Sequence, residues 1–180
     1  MSEPKRPVKG SVEPFDKIAL IASPAIRADL QLDDSTAIKI DNEIDRFNAA
    51  VRRVLASRMP REEVDRSIAA SRVEALQNIG NDLSGSQATR LQQLHWQKRG
   101  TEAICDEDLV KELNIGEDQL TQIRNRSDAT AASKGSGALV SGPESKGEFP
   151  DWDVPHIRKT LSTEQFDKLL RLLGKPLSES

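Results

Sequence analysis

Leu83-Ser84-Gly85-Ser86-Gln87 returns 78 residues later (161 − 83) as Leu161-Ser162-Thr163-Glu164-Gln165, and the two copies set the reading of the whole chain. Each has the form of a capping box. The Ser hydroxyl accepts from the backbone N–H three residues on, while the Gln side chain returns to the Ser N–H. An apolar residue just before the cap, Leu83 or Leu161, is placed to staple onto the fourth helical position, Ala88 or Phe166. The candidate motif is therefore Leu83, Ser84, Gln87, Leu161, Ser162 and Gln165, and its role is to begin helices. Replacing a capping side chain costs about 1 kcal/mol, which marks a boundary without implying chemistry.

Working outward, the flanking sequence is helical in period. Asp33 precedes a stripe of Ile40, Ile44, Phe47, Val51 and Val54/Leu55 at steps of four and three, the mark of an amphipathic helix. Pro60 interrupts it. A second stretch runs from Glu62 to Ile79 and is expected to end at Gly80-Asn81-Asp82. The first box then opens a helix carrying Leu91 and Leu94, with Gly100 as its left-handed C-terminal residue. Shorter helices are expected from Phe15 to Ile21, from Pro24 (after the cap Ser23) to Leu30, and from Glu107 to Leu113. Another starts at Ile115-Gly116-Glu117-Asp118-Gln119 and runs to Arg126, and the last spans Thr163 to Leu173, closed by Gly174 and Pro176. Helices of this kind pair as antiparallel hairpins, turning near Pro60, Asn81 and Gly100. The fold class is all-α: antiparallel helical hairpins in a bundle, built from a degenerate two-fold repeat.

The repeat shows in the apolar positions. Ile26, Leu30, Leu32 and Ile40 match Leu109, Leu113, Ile115 and Ile123 at a constant offset of 83, while the boxes are offset by 78. A drift of only five residues points to a duplicated module of about 80 residues. The organisation expected is a leader over 1–14, a first helical module over 15–100 and a second over 101–180. Within the second, 127–148 is rich in Ser, Gly and Ala and reads as a flexible linker. Phe149-Pro150-Asp151-Trp152-Asp153-Val154-Pro155 reads as an extended segment docked on a surface, and Phe149, Trp152 and Trp96 are the candidate interaction surface.

Composition excludes several classes. The 180 residues are 36% hydrophobic and 31% charged, with mean hydropathy −0.56 and aromatics at only 3%, so a core must come from Leu, Ile, Val and Ala. A net charge of −3 argues against a nucleic-acid binder. The exception is a run of arginines (Arg46, Arg52, Arg53, Arg58, Arg61, Arg66, Arg72) diluted by Glu62, Glu63, Asp65 and Glu74, which reads as a solvated helix surface. No apolar run approaches the roughly 18 residues of a membrane span. The start, Met1-Ser2-Glu3-Pro4-Lys5-Arg6-Pro7, has no apolar stretch of a signal peptide. The compartment stays open between the cytoplasm and, with an export signal already removed, the periplasm or cell envelope.

The reactive residues are sparse. His95, His156 and Cys105 have no standard ligand spacing for zinc, which needs three or four donors. Ser84 and Ser162 have no nearby base. Cys105 reads as a small core residue, and Gly135-Ser136-Gly137 lacks the strand and Gly-Lys-Ser/Thr of a phosphate loop. No catalytic residue, cofactor or metal is assigned.

A Leu-Ser/Thr-x-x-Gln box heading a repeated amphipathic helix resembles the LTxxQ-motif proteins of bacteria, which include periplasmic chaperones and stress sensors. It is closer still to uncharacterised bacterial tandem-repeat proteins in which a Pro-x-Val-x-x-Glu-Leu-x-Leu-like segment precedes the box. Here those positions are Pro24, Ile26, Asp29, Leu30 and Leu32, then Leu83, Ser84 and Gln87. In the second round they are Leu109, Glu112, Leu113, Ile115 and Gln119, then Leu161, Ser162 and Gln165. The resemblance implies a non-enzymatic helical interaction protein that forms homodimers and binds a protein partner or unfolded client through apolar segments. The alternatives are a metal-dependent sensor using His95, His156 and Cys105, or a structural module.

Overall fold

The structure, a computed structural model, describes residues 16–134 and 152–177, and among them it is all-α. It divides into two compact units between Leu91 and Gln92. In the first, Asp16 accepts from the Ile18 N–H (3.2 Å) and caps α1 (Lys17–Ile21). Pro24, whose fixed φ suits a first helical turn, opens α2 (Pro24–Asp29). The chain then reverses through Gln31, which takes a left-handed φ of 51°. Asp33 accepts from the Thr36 N–H at 2.7 Å and starts α3 (Asp34–Leu55). After Pro60, α4 (Arg61–Asp82) returns antiparallel to α3, since Asn78 meets Glu43 and Asp82 meets Lys39.

The burial in this unit is concentrated at one end. Ile18, Ile21, Ile26, Leu30, Ile40, Ala75, Ile79, Leu83 and Leu91 form the buried apolar set. Glu43 is buried beside them, and its carboxylate accepts from Asn78 Nδ2 (2.9 Å) and Arg46 Nη1 (3.3 Å), which offsets its desolvation. Arg72 reaches Asp16 at 3.0 Å and ties α4 to the cap of α1.

The second unit takes the C-terminal half of α5 (Gly85–Arg99), a 3₁₀ turn (Gly100–Cys105), α6 (Glu107–Leu113), α7 (Glu117–Lys134), α8 (Val154–Thr160) and α9 (Thr163–Leu173). Ile104, Leu109, Ile123, Ile157, Leu169 and Leu173 are sealed in its core with Trp96, Trp152 and Phe166. Each such aliphatic side chain contributes on the order of 1.5–3 kcal/mol on burial. The end of α9 is held by Gln97, whose Nε2 donates to the carbonyls of Leu173 (2.6 Å) and Lys175 (2.8 Å). Gln97 Oε1 accepts from the Leu177 N–H (3.2 Å), so one buried amide serves three backbone groups.

Several sequence expectations are corrected. Gly80 does not stop α4, which continues to Asp82; the stop comes where Leu83 turns extended (ψ 143°) to feed the Ser84 cap. Gly100 does carry the expected left-handed φ (61°), but it opens a 3₁₀ turn that ties back through the Asp106 N–H to Ala103 O. α7 runs past Arg126 to Lys134, so the first eight residues of the expected 127–148 linker are helical. The remainder of that linker, the 1–14 leader and Phe15 lie outside the described residues. Part of the expected extended segment is α8, begun by the Asp153 cap and Pro155 in the first turn. The unit division falls inside α5, nine residues before the boundary expected at Gly100.

Candidate functional site

Both boxes form. Around Ser84, the Gln87 N–H donates to Ser84 Oγ (3.3 Å) and the Ser84 N–H to Gln87 Oε1 (2.9 Å). Around Ser162 the same two bonds measure 3.2 and 2.9 Å. Leu83 and Leu161 are buried, and Leu161 shares its cluster with Phe166, as a staple requires.

Each Gln has a second role. With its oxygen spent on the cap, the amide N–H₂ of Gln87 donates to Leu30 O (3.2 Å), the residue that closes α2. Gln165 donates to Leu113 O and Asn114 O (both 3.1 Å), where α6 ends. Orphan carbonyls at a helix C-terminus need such donors. Gln119 repeats the device: its Oε1 accepts from the Gly116 N–H (3.1 Å), and its Nε2 donates to Thr160 O and to Gln165 Oε1 (both 2.9 Å).

An ion pair accompanies the amide in each unit. Arg90 Nε and Nη2 bind Asp29 at 2.6 and 3.0 Å. Lys168 binds Glu112 at 3.2 Å and also donates to its backbone carbonyl. The helix reversals match as well, because Gln31 and Asn114 both take φ 51°. Leu32 N–H to Arg27 O (3.2 Å) has its counterpart in Ile115 N–H to Val110 O (3.1 Å). Leu83 N–H to Ile79 O (3.2 Å) has its counterpart in Leu161 N–H to Ile157 O (2.9 Å).

The aromatic candidates lie elsewhere than expected. Trp96 (6% exposed) and Trp152 (5%) belong to the core of the second unit, so neither presents a surface, which corrects the reading of them as an interaction patch. Apolar area this large is worth more in a core than in water. Phe149 lies outside the described residues. His95 is buried, while His156 and Cys105 are half-buried. Among the described residues no three His, Cys, Asp or Glu side chains are grouped to hold a metal ion. Among the described residues no helix is long and apolar enough to cross a membrane.

The exposed apolar surface is on α3 and α4. From Ile44 to Glu74 no residue of this hairpin is buried. Phe47, Val51, Val54, Val64 and Ile68 are only half-covered. Ile38, Leu55, Met59 and Val73, four of the five large apolar residues most exposed among those described, lie on the hairpin or its turn. Two helices alone cannot cover an apolar stripe of ~100° on each. Between Arg46 and Arg61 the chain has five arginines and no acid. Of the arginine run, Arg61 pairs with Asp65 (3.9 Å), Arg46 with Glu43 and Arg72 with Asp16. At the other end of α3, Arg27 clamps Asp41 through two bonds (3.2 and 2.5 Å), and that hydrogen bonding holds the Asp41 carboxyl below the usual carboxylate range. Asp33 is also lowered, first by the Thr36 N–H and then by the Ser35 hydroxyl.

The fold and surface define an all-α protein with an uncovered helical hairpin in its first unit. The chain matches no family model, no curated protein and no solved structure.

Proposed function

We propose that this is a non-enzymatic helical interaction protein that holds apolar segments of a partner or unfolded client on the α3–α4 hairpin. The observation carrying this reading is the 31-residue stretch from Ile44 to Glu74 without one buried residue, whereas the second unit has a sealed aromatic core. An amphipathic segment laid along the half-covered stripe of Phe47, Val51, Val54, Val64 and Ile68 would complete a three-helix arrangement. The arginines at the far end favour segments that also carry acidic residues. We infer further that the two units are divergent copies of one module, supported by the matched reversals, amide clamps and ion pairs at offsets of 83 and 78. The Leu-Ser-x-x-Gln boxes are consistent with kinship to the LTxxQ-motif proteins.

The test is aggregation of reduced insulin, followed by light scattering, with and without the protein. Near-stoichiometric protein slows it, and Val54→Ser/Val64→Ser, on the half-covered stripe, weakens the effect at least threefold with unchanged helicity. No effect of the wild-type chain at a fivefold excess removes the reading.

A further inference from the structure

The outward face of α3 has a pattern that the client-binding stripe does not use. Asp34, Ile38, Asp41, Asp45, Asn48, Arg52 and Leu55 recur at alternating steps of four and three, the spacing of a coiled-coil seam, and all seven are exposed. Ile38 (61% exposed) and Leu55 (62%) stand near its two ends, about 25 Å apart at 1.5 Å per residue. The charge changes sign between them. Residues 33–45 hold Asp33, Asp34, Asp41, Glu43 and Asp45 against one Lys39, whereas 46–58 hold Arg46, Arg52, Arg53 and Arg58 with no acid.

We propose that this face is a self-association surface, on which α3 packs antiparallel against α3 of a second copy about a two-fold axis between Arg46 and Phe47. In that register Ile38 meets Leu55 of the other copy, Asp41 meets Arg52, and Asp45 meets Asn48; each contact occurs twice, as a two-fold interface demands. The pattern selects the arrangement. Parallel pairing in register sets Asp41 on Asp41 and Arg52 on Arg52, which is repulsive. An antiparallel shift toward the N-terminus sets Asp41 against Asp45 and strands Leu55; the opposite shift strands Ile38. The central Asp45–Asn48 layer costs stability but fixes register, as a polar layer does in coiled coils. Asp41 already accepts from Arg27, yet a carboxylate has about four acceptor positions and can take Arg52 as well. The pairing uses a different face from the client stripe, so the two readings fail separately.

The register is read by disulfide trapping in a Cys105→Ser background. Ile38→Cys protein is mixed with Leu55→Cys protein under mild oxidation, and each is also oxidised alone. The expected result is a linked dimer in the mixture and little in either single sample, because like positions lie about 25 Å apart across the axis. Sedimentation velocity on the unmodified chain shows a monomer–dimer equilibrium whose midpoint moves at least tenfold with Arg52→Asp and with added salt. Circular dichroism confirms that these exposed substitutions leave helicity unchanged. A monomer at every concentration, a dimer indifferent to Arg52→Asp, or stronger linkage of like with like overturns the proposal.

Discussion

The two units solve one problem with the same parts and then diverge. In each, a short helix ends in a left-handed residue, Gln31 or Asn114, and a later helix ties that corner down with a Gln amide and a basic side chain. What lies between corner and box differs. The first unit inserts two 22-residue helices whose far portion has no buried residue. The second encloses Trp152 and Ile157 and seals its core. The difference teaches that the same corner clamp stands beside very different amounts of burial between corner and box: a long unburied hairpin in the first unit and a sealed core in the second.

The contrast is broken most strongly at Gly174. Its φ of 67° with ψ −158° belongs to a region open essentially to glycine alone. A Cβ there would also fall inside contact distance of the Gln93 amide. Gly174→Ala should destabilise the second unit by about 2–3 kcal/mol from backbone strain alone, seen as an earlier urea transition. Trp fluorescence reports it, since Trp96 and Trp152 both lie in that unit. The position 78 residues earlier is Trp96, inside the continuing α5 and already part of the second unit, so the first unit has no counterpart of this glycine.

A smaller effect ranks the two clamps. Gln165→Ala removes the box, the bonds to Leu113 and Asn114 and the pairing with Gln119, whereas Gln87→Ala removes the box and one carbonyl bond. At about 0.5 kcal/mol per net hydrogen bond, the low end of the range and suited to part-exposed groups, Gln165→Ala should cost about 2 kcal/mol and Gln87→Ala about 1. Equal losses in paired denaturant titrations would mean that neither the Gln119 link nor the second carbonyl bond contributes.

The smallest effect is in pH. Asp41 has its pKa lowered by Arg27, so its contribution is present above the unfolded value of about 3.9 and lost as pH falls through the folded value. Acid should therefore loosen the first unit's α2–α3 corner, and Asp41→Asn should flatten that dependence. Hydrogen exchange of the Asp33–Ile40 amides between pH 5 and 3 measures it.

Much of this was legible in the chain wherever a cap is written in local chemistry. Asp33, Asp106, Ser162 and Pro24 announce α3, α6, α9 and α2 because each acts on groups within three residues. The seven-residue α8 and the 3₁₀ turn are too short to show a periodic stripe, and Pro155 disguises the former. The second bond of each Gln joins residues 52 or 57 apart, and no local rule contains it. Trp152 is ambiguous in the sequence for a similar reason: two rings between prolines describe an anchor equally well whether it is buried or offered. The outward seam of α3 shows no apolar stripe in the sequence, because Asp and Arg fill most of its positions.

The clamp also has a chemical consequence. A helix-capping box accepts Glu or Gln alike at its third helical position, since only a carbonyl-type oxygen is needed. At Gln87 and Gln165 the other terminal atom faces backbone carbonyls. A carboxylate there would set oxygen against oxygen, whereas an amide supplies acceptor and donor from one carbon. Exchange of a single NH₂ for oxygen, by mutation or by slow hydrolysis, would keep the cap and repel the corner it holds. Gln in the pentapeptide thus gives the box a two-faced side chain that Glu would not, and loss of that nitrogen is a route by which the clamp would age.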